Sequence, residues 1–178
     1  MLQLCASSLA ETHEIAGAIA GLSRPGDIVI LSGDMGAGKT AFAQGFGRAL
    51  GVAEPITSPT FTLVHSYDCG KLTLHHADLY RLERTTEIAE LALGELAEFD
   101  GIVLVEWGDV VENGFGEHLA VFLEQDLDDS IDEPDPDADP DADVLALDGR
   151  RRIELVGVGS SWASRWSQIT SRCEAFLC

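Results

Sequence analysis

A chain of 178 residues, 46% of them apolar, has the size and composition of one domain with a modest core. Its formal net charge of -20, from 31 acidic and 11 basic residues, argues against tight, direct binding to nucleic acid, which rests on Lys and Arg neutralising phosphates. No apolar run approaches the ~18 residues of a membrane span and the N-terminus lacks the basic start of a signal peptide, so a cytoplasmic protein without membrane contact is expected.

Ser8-Leu9-Ala10-Glu11 is a capping-box pattern that opens a helix to about Leu22, with Leu9, Ile15, Ala16, Ile19 and Leu22 able to share one face. Arg24-Pro25-Gly26-Asp27 reads as a turn, and Ile28-Val29-Ile30-Leu31 as a short buried strand. Directly after it, Gly33-Asp34-Met35-Gly36-Ala37-Gly38-Lys39-Thr40 matches G-x-x-x-x-G-K-[ST] at every fixed position. In such a loop the glycines let backbone N–H groups curl around an anion. Lys39 reaches the β and γ phosphates, and the Thr40 hydroxyl holds Mg²⁺. A helix from Thr40 to Leu50, closed by Gly51 and striped by Phe42, Ala43, Phe46, Ala49 and Leu50, places a helix N-terminus against that anion.

Ser58-Pro59-Thr60-Phe61 follows, with two hydroxyls beside a rigid proline; it is either a nucleotide-responsive segment or an ordinary proline turn. Residues 62–67 and 72–78, separated by Asp68-Cys69-Gly70-Lys71, read as an antiparallel hairpin. A helix is expected over about 85–98, weakened at Gly94. Ile102-Val103-Leu104-Val105 is a second buried strand that ends in Glu106-Trp107. Residues 118–124 and 152–158 read as two more strands. Between them, Asp126 to Asp148 carries eleven acidic residues and no Lys or Arg, and is expected to be a solvated, disordered insertion. It lacks the glycine turn and closing glutamate of a calcium loop. Trp162, Trp166, Ile169, Cys173 and Phe176 recur at helical spacing and suit packing on the protein's own core, with partner docking as the alternative.

Hydrolysis of a nucleotide needs carboxylates to complete the Mg²⁺ shell and to orient a nucleophile. Glu106 follows four apolar residues, where an open parallel sheet presents groups to its ligand crevice, and Asp78 closes the hairpin. Each has a plainer reading as a surface charge. His75-His76-x-Asp78 lacks a further Cys or His cluster, so His76 suits a positioning or core role better than a metal ligand. Gly149-Arg150-Arg151-Arg152 is the densest basic cluster, suited to phosphate or to offsetting the adjacent acidic tract. Cys5, Cys69, Cys173 and Cys178 show no C-x-x-C spacing and read as free thiols in a reducing compartment.

The glycine loop, Ser58-Pro59-Thr60-Phe61-Thr62, His76-x-Asp78-Leu79-Tyr80-Arg81 and Val105-Glu106-Trp107, in this order and at this spacing, resemble the TsaE ATPases. The resemblance spans roughly residues 9–124 and resumes at Gly149-Arg150. It implies an α/β P-loop NTPase with a mixed sheet flanked by helices and an inserted antiparallel hairpin. The implied function is a subunit that hydrolyses ATP with Mg²⁺ and supports TsaB and TsaD in placing threonylcarbamoyl on the adenosine next to the anticodon of tRNA, touching tRNA only through the complex. By the same resemblance Thr40 and Glu106 ligate Mg²⁺, while Lys39 and Asp78 serve hydrolysis. Gly36, Ala37, Gly38, Lys39, Thr40, Ala41, Arg150 and Thr12 lie at the nucleotide. The expected organisation is an ATPase core over 1–125, the acidic insertion over 126–148, a final core strand over 149–159 and a helical extension over 160–178. A small-molecule kinase on the same scaffold is the runner-up, followed by a nucleotide-dependent binding module without productive hydrolysis.

Overall fold

A computed structural model describes residues 1–81, 91–98, 100–107, 115–125 and 149–178. The acidic tract and the first part of the helix expected over 85–98 lie outside these residues. Among the described residues seven strands form one mixed sheet in the order β1-β7-β6-β2-β5-β4-β3. They are β1 (Leu2–Ala6), β2 (Ile28–Ser32), β3 (Val64–Asp68), β4 (Thr73–Asp78), β5 (Gly101–Glu106), β6 (His118–Gln125) and β7 (Arg151–Val158).

The two continuous apolar runs take the middle of the sheet, because only a strand covered on both faces buries every residue. All of β2 and all of β5 are buried. β2 pairs in parallel with both β5 and β6, and β4 pairs in parallel with β5. The expected hairpin is present as β3 and β4, antiparallel from Val64↔Ala77 to Asp68↔Thr73. On the other side β7 runs antiparallel to β6, and β1 antiparallel to β7. β1 is an element that the sequence does not announce. It is a five-residue edge strand with only Leu4 and Ala6 buried.

Helices α1 (Leu9–Ala20), α2 (Lys39–Leu50) and α4 (Ser160–Arg172) belong to the larger core, with Ile15, Ile19, Phe42, Phe46, Leu31 and Trp162 fully or almost fully enclosed. The capping box forms, shifted by one residue on its return arm. The Ser8 hydroxyl accepts the Glu11 N–H at 3.2 Å, while the Glu11 carboxylate accepts the Ser7 N–H at 2.7 Å. That bond holds the Glu11 carboxyl below its usual range. Gly45 permits close packing of α1 on α2: a Cβ there would sit 2.6 Å from the His13 Cα. A smaller apolar cluster, including Ile28, Ile30, Leu79, Val103 and Val105, contains Leu93 and Ala97 of α3 (Leu93–Glu98).

The C-terminal aromatic stripe packs on the protein's own core. Trp162, Ile169 and Cys173 are buried, and burial raises the Cys173 thiol to about 11. Arg165 anchors the helix by donating to both carboxylate oxygens of Asp27, at 2.6 and 2.8 Å, in the turn that precedes β2. Glu117, just before β6, caps α4 by accepting the N–H groups of Ser160 and Ser161 at 2.8 and 3.2 Å.

One expectation is corrected. Cys5 and Cys178 form a disulfide with Cα atoms 5.1 Å apart, leaving Cys69 and Cys173 as the free thiols. Leu177 bridges to Leu4 of β1, which lays residue 178 beside residue 5. Chain path creates that proximity across 173 residues, so spacing could not reveal it. Among the described residues no helix is long and apolar enough to cross a membrane.

Candidate active site

The parallel strands β2, β5 and β4 end side by side, with Leu31 opposite Glu106 and Glu106 opposite Asp78. The glycine loop leaves β2 at this edge and enters α2. Three of its glycines hold positive φ: Gly33 at 138°, Gly36 at 85° and Gly38 at 104°. Gly33 is required twice over, since a Cβ there would lie 2.1 Å from the Leu123 carbonyl oxygen of β6. Gly38 is crowded from the other side, its Cβ position lying 2.6 Å from Arg151 Nε.

Lys39, buried at the start of α2, turns back into the loop. Its Nζ donates to the carbonyls of Gly33 at 2.7 Å and Asp34 at 2.8 Å, and sits 3.6 Å from the centre of the Trp107 ring. Trp107 leaves β5 with φ of 61°, a left-handed conformation costly for a bulky residue, and this turn accompanies its placement against Lys39. Tyr80 packs on the same indole with ring centres 5.0 Å apart.

Two carboxylates close the far wall. The Thr40 hydroxyl donates to Glu106, 3.1 and 3.3 Å from its two oxygens, and His76 Nε2 meets Glu106 Oε1 at 2.9 Å. Asp78 accepts the Tyr80 N–H at 2.9 Å on Oδ1 and the Ser58 hydroxyl on Oδ2. Thr60 Oγ1 lies 3.2 Å from Ser58 Oγ, so the second hydroxyl of the proline segment meets the carboxylate wall only through Ser58. A recess of about 370 Å³ opens between loop and wall, lined by residues that include Gly36, Gly38, Lys39, Thr40 and Ala41 together with Asp78 and Glu106.

Three residues singled out in the sequence stand apart from this recess. Ala37 is buried in the larger core. Thr12 is buried in α1, where its hydroxyl donates to the Ser8 carbonyl at 3.1 Å. Arg150 is exposed and lines a different recess with Cys5, Ala6 and Ser7. The neighbouring Arg151 lines the main recess, almost fully buried, with Nη1 donating to the Gly149 carbonyl at 3.0 Å. Strand alternation carries the signal that would have selected it: Arg151, Ile153 and Leu155 share the buried face of β7. Trp107 and Tyr80 also line the recess, and nothing in their local sequence marks them beyond their place beside Glu106 and Asp78.

The donor set fits a small hard cation better than a transition metal. Thr40 and Glu106 offer a hydroxyl and a carboxylate, and no group of three or more His, Cys, Asp or Glu residues capable of holding a metal occurs among the described residues. Strand alternation sends the paired histidines to opposite faces. His76 goes to Glu106, while His75 pairs with the Ser66 hydroxyl at 2.8 Å and is held by burial below the usual imidazole range.

Fold and site thus define a mixed α/β protein in which a glycine loop, its lysine and two strand-end carboxylates surround one recess. The family described as Threonylcarbamoyl adenosine biosynthesis protein TsaE matches residues 6–132. The chain belongs to the TsaE family. It is 41% identical over 120 residues to the tRNA threonylcarbamoyladenosine biosynthesis protein TsaE of Bacillus subtilis, covering 67% of this chain and 75% of the relative. Identity to the protein of the same name from Streptomyces coelicolor is 34% over 156 residues, 85% of this chain and 94% of the relative. The crystal structure of Bacillus subtilis YdiB superposes with a TM-score of 0.70 at 30% identity, over 96% of this chain and 94% of that one.

Proposed function

We propose that this chain is a P-loop ATPase that binds and hydrolyses ATP with Mg²⁺ and supports TsaB and TsaD in forming N6-threonylcarbamoyladenosine next to the anticodon of tRNA. The observation that carries the reading is the convergence of Lys39, Thr40, Glu106 and Asp78 on one recess at the ends of three parallel strands. The loop N–H groups and the start of α2 receive phosphate oxygens, and Lys39 exchanges its two loop carbonyls for them. Thr40 and Glu106 would hold Mg²⁺, which would supply neutralisation of phosphate charge. Asp78, oriented by Ser58 and the Tyr80 N–H, accepts a proton from the attacking water. Arg151, rather than Arg150, is the arginine at the recess.

Glu106→Gln and Asp78→Ala separate these roles. The first is expected to weaken Mg²⁺-dependent ATP binding about 10-fold, since it removes a charged metal ligand. The second is expected to keep ATP affinity within about 3-fold and to lose about 100-fold in turnover, the usual scale of a general base. Calorimetry with and without Mg²⁺, beside a phosphate-release assay, checks both; equal loss of affinity in the two variants contradicts the division of labour.

The acidic composition disfavours direct RNA contact, so the energy of ATP is delivered through protein contact. Reconstitution tests the whole reading. TsaB, TsaD, tRNA, threonine, bicarbonate, ATP and the enzyme forming threonylcarbamoyl-adenylate are assayed for modified adenosine with and without this chain. Multiple turnover is expected only in its presence, and identical yields in both reactions reject the function.

A further inference from the structure

His76 is fully buried and Glu106 nearly so, yet their side chains meet at 2.9 Å across neighbouring parallel strands. Asp78, not His76, is the register partner of Glu106, so the imidazole reaches the carboxylate diagonally from two residues further back on β4. Its other nitrogen, Nδ1, has no hydrogen-bond partner among the described residues. An ionised carboxylate only accepts, so the ring nitrogen that faces it is the one that carries a hydrogen. The Nε2–H therefore donates a hydrogen bond to Glu106 Oε1. Thr40 donates to the same carboxylate from the glycine-loop side. Two donors on opposite elements thus fix the rotation of one carboxylate.

We propose that His76 is a positioning residue whose Nε2–H aims the Glu106 carboxylate, together with Thr40, at Mg²⁺. The inference rests on the assignment of Glu106 as a Mg²⁺ ligand and deepens it. A side chain that only fills core would affect folding and leave the cation dependence of nucleotide binding alone. A donor that aims a ligand changes that dependence, typically by 10- to 100-fold in metal affinity.

The test is ATP calorimetry on the full chain at stepped Mg²⁺ concentrations, with thermal melts alongside. His76→Leu is expected to raise the Mg²⁺ concentration for half-maximal ATP binding about 10-fold while leaving metal-free ATP affinity within about 2-fold. His76→Gln, whose amide nitrogen reaches close to the position of Nε2, is expected to stay within about 3-fold of the parent. Unchanged Mg²⁺ dependence in a folded His76→Leu overturns the positioning role and leaves the ATPase reading standing. If His76→Leu does not fold, His76→Gln and His76→Asn carry the comparison. The shorter Asn amide stops short of Glu106, so equal Mg²⁺ dependence in these two variants overturns the role. A parent protein that binds ATP without any response to Mg²⁺ overturns the ligand assignment itself and the positioning role with it.

Discussion

Replacing Arg165 by methionine is expected to destabilise the fold by about 3–5 kcal/mol, the usual consequence of breaking a buried ion pair and stranding one charge. Arg165 is 1% exposed and ties three elements together. Beyond its two bonds to Asp27 it donates to the Leu22 carbonyl at 2.9 Å and to Ser161 Oγ at 2.7 Å. Its guanidinium also lies 4.0 Å from the Trp162 ring centre. Methionine fills much of the volume but leaves the Asp27 carboxylate buried with, among the described residues, only the Arg24 N–H, at 2.7 Å, as a remaining partner. In a chain of this length the loss corresponds to a melting temperature lower by about 10 °C. Asp27→Asn combined with Arg165→Met is expected to recover part of it, because no charge then remains buried. Thermal and urea denaturation check both variants, and a loss under about 1 kcal/mol for Arg165→Met would show that the pair does not anchor α4.

Lys39→Ala is expected to weaken ATP binding by about 100-fold or more, equivalent to about 2.7 kcal/mol. The ammonium lies among the loop carbonyls, where on the proposed reading it would meet the β and γ phosphates, and a charge-assisted bond in such surroundings is worth about 1.5–3 kcal/mol. Mg²⁺ is not expected to replace it, because the ion's proposed ligands are Thr40 and Glu106, whereas Lys39 Nζ sits on the carbonyls of Gly33 and Asp34. The same substitution removes the cation from the face of Trp107, so a melt must accompany the calorimetry to show that the loop persists. Near-normal ATP affinity in a folded variant would mean that this loop is not the nucleotide site.

The parts of the fold that the sequence reveals are those coded over short distances. The loop pattern, the buried runs at β2 and β5, the hairpin and the capping box each depend on neighbours within a few residues, and each lies close to where local chemistry puts it. Glu106 is legible because a strand end after an apolar run has a predictable place at a sheet edge, and Asp78 because it closes the hairpin strand beside it. What escaped depends on chain path. β1 has only two buried side chains and gains its identity from β7, while the disulfide follows from that docking. The choice between Arg150 and Arg151 turns on the phase of a strand that starts one residue earlier than expected, and a shift of one residue exchanges the faces. Trp107 reaches Lys39 only through a positive φ, which composition gives no reason to assign to tryptophan.

The Cys5–Cys178 bond also changes the covalent topology of the molecule. Between residues 5 and 178 the polypeptide is a closed ring, and Asp126 to Asp148 lies in the arc that joins β6 to β7. A single peptide-bond cleavage in that acidic arc opens the ring without dividing it. The result is a circularly permuted connectivity in which β7 and α4 precede β1, held by the bond between sulfurs and by the register that pairs Leu2 with Leu155 and Ala6 with Arg151. Cleavage and reduction must then both occur before the recess can lose Arg151 to a separate fragment.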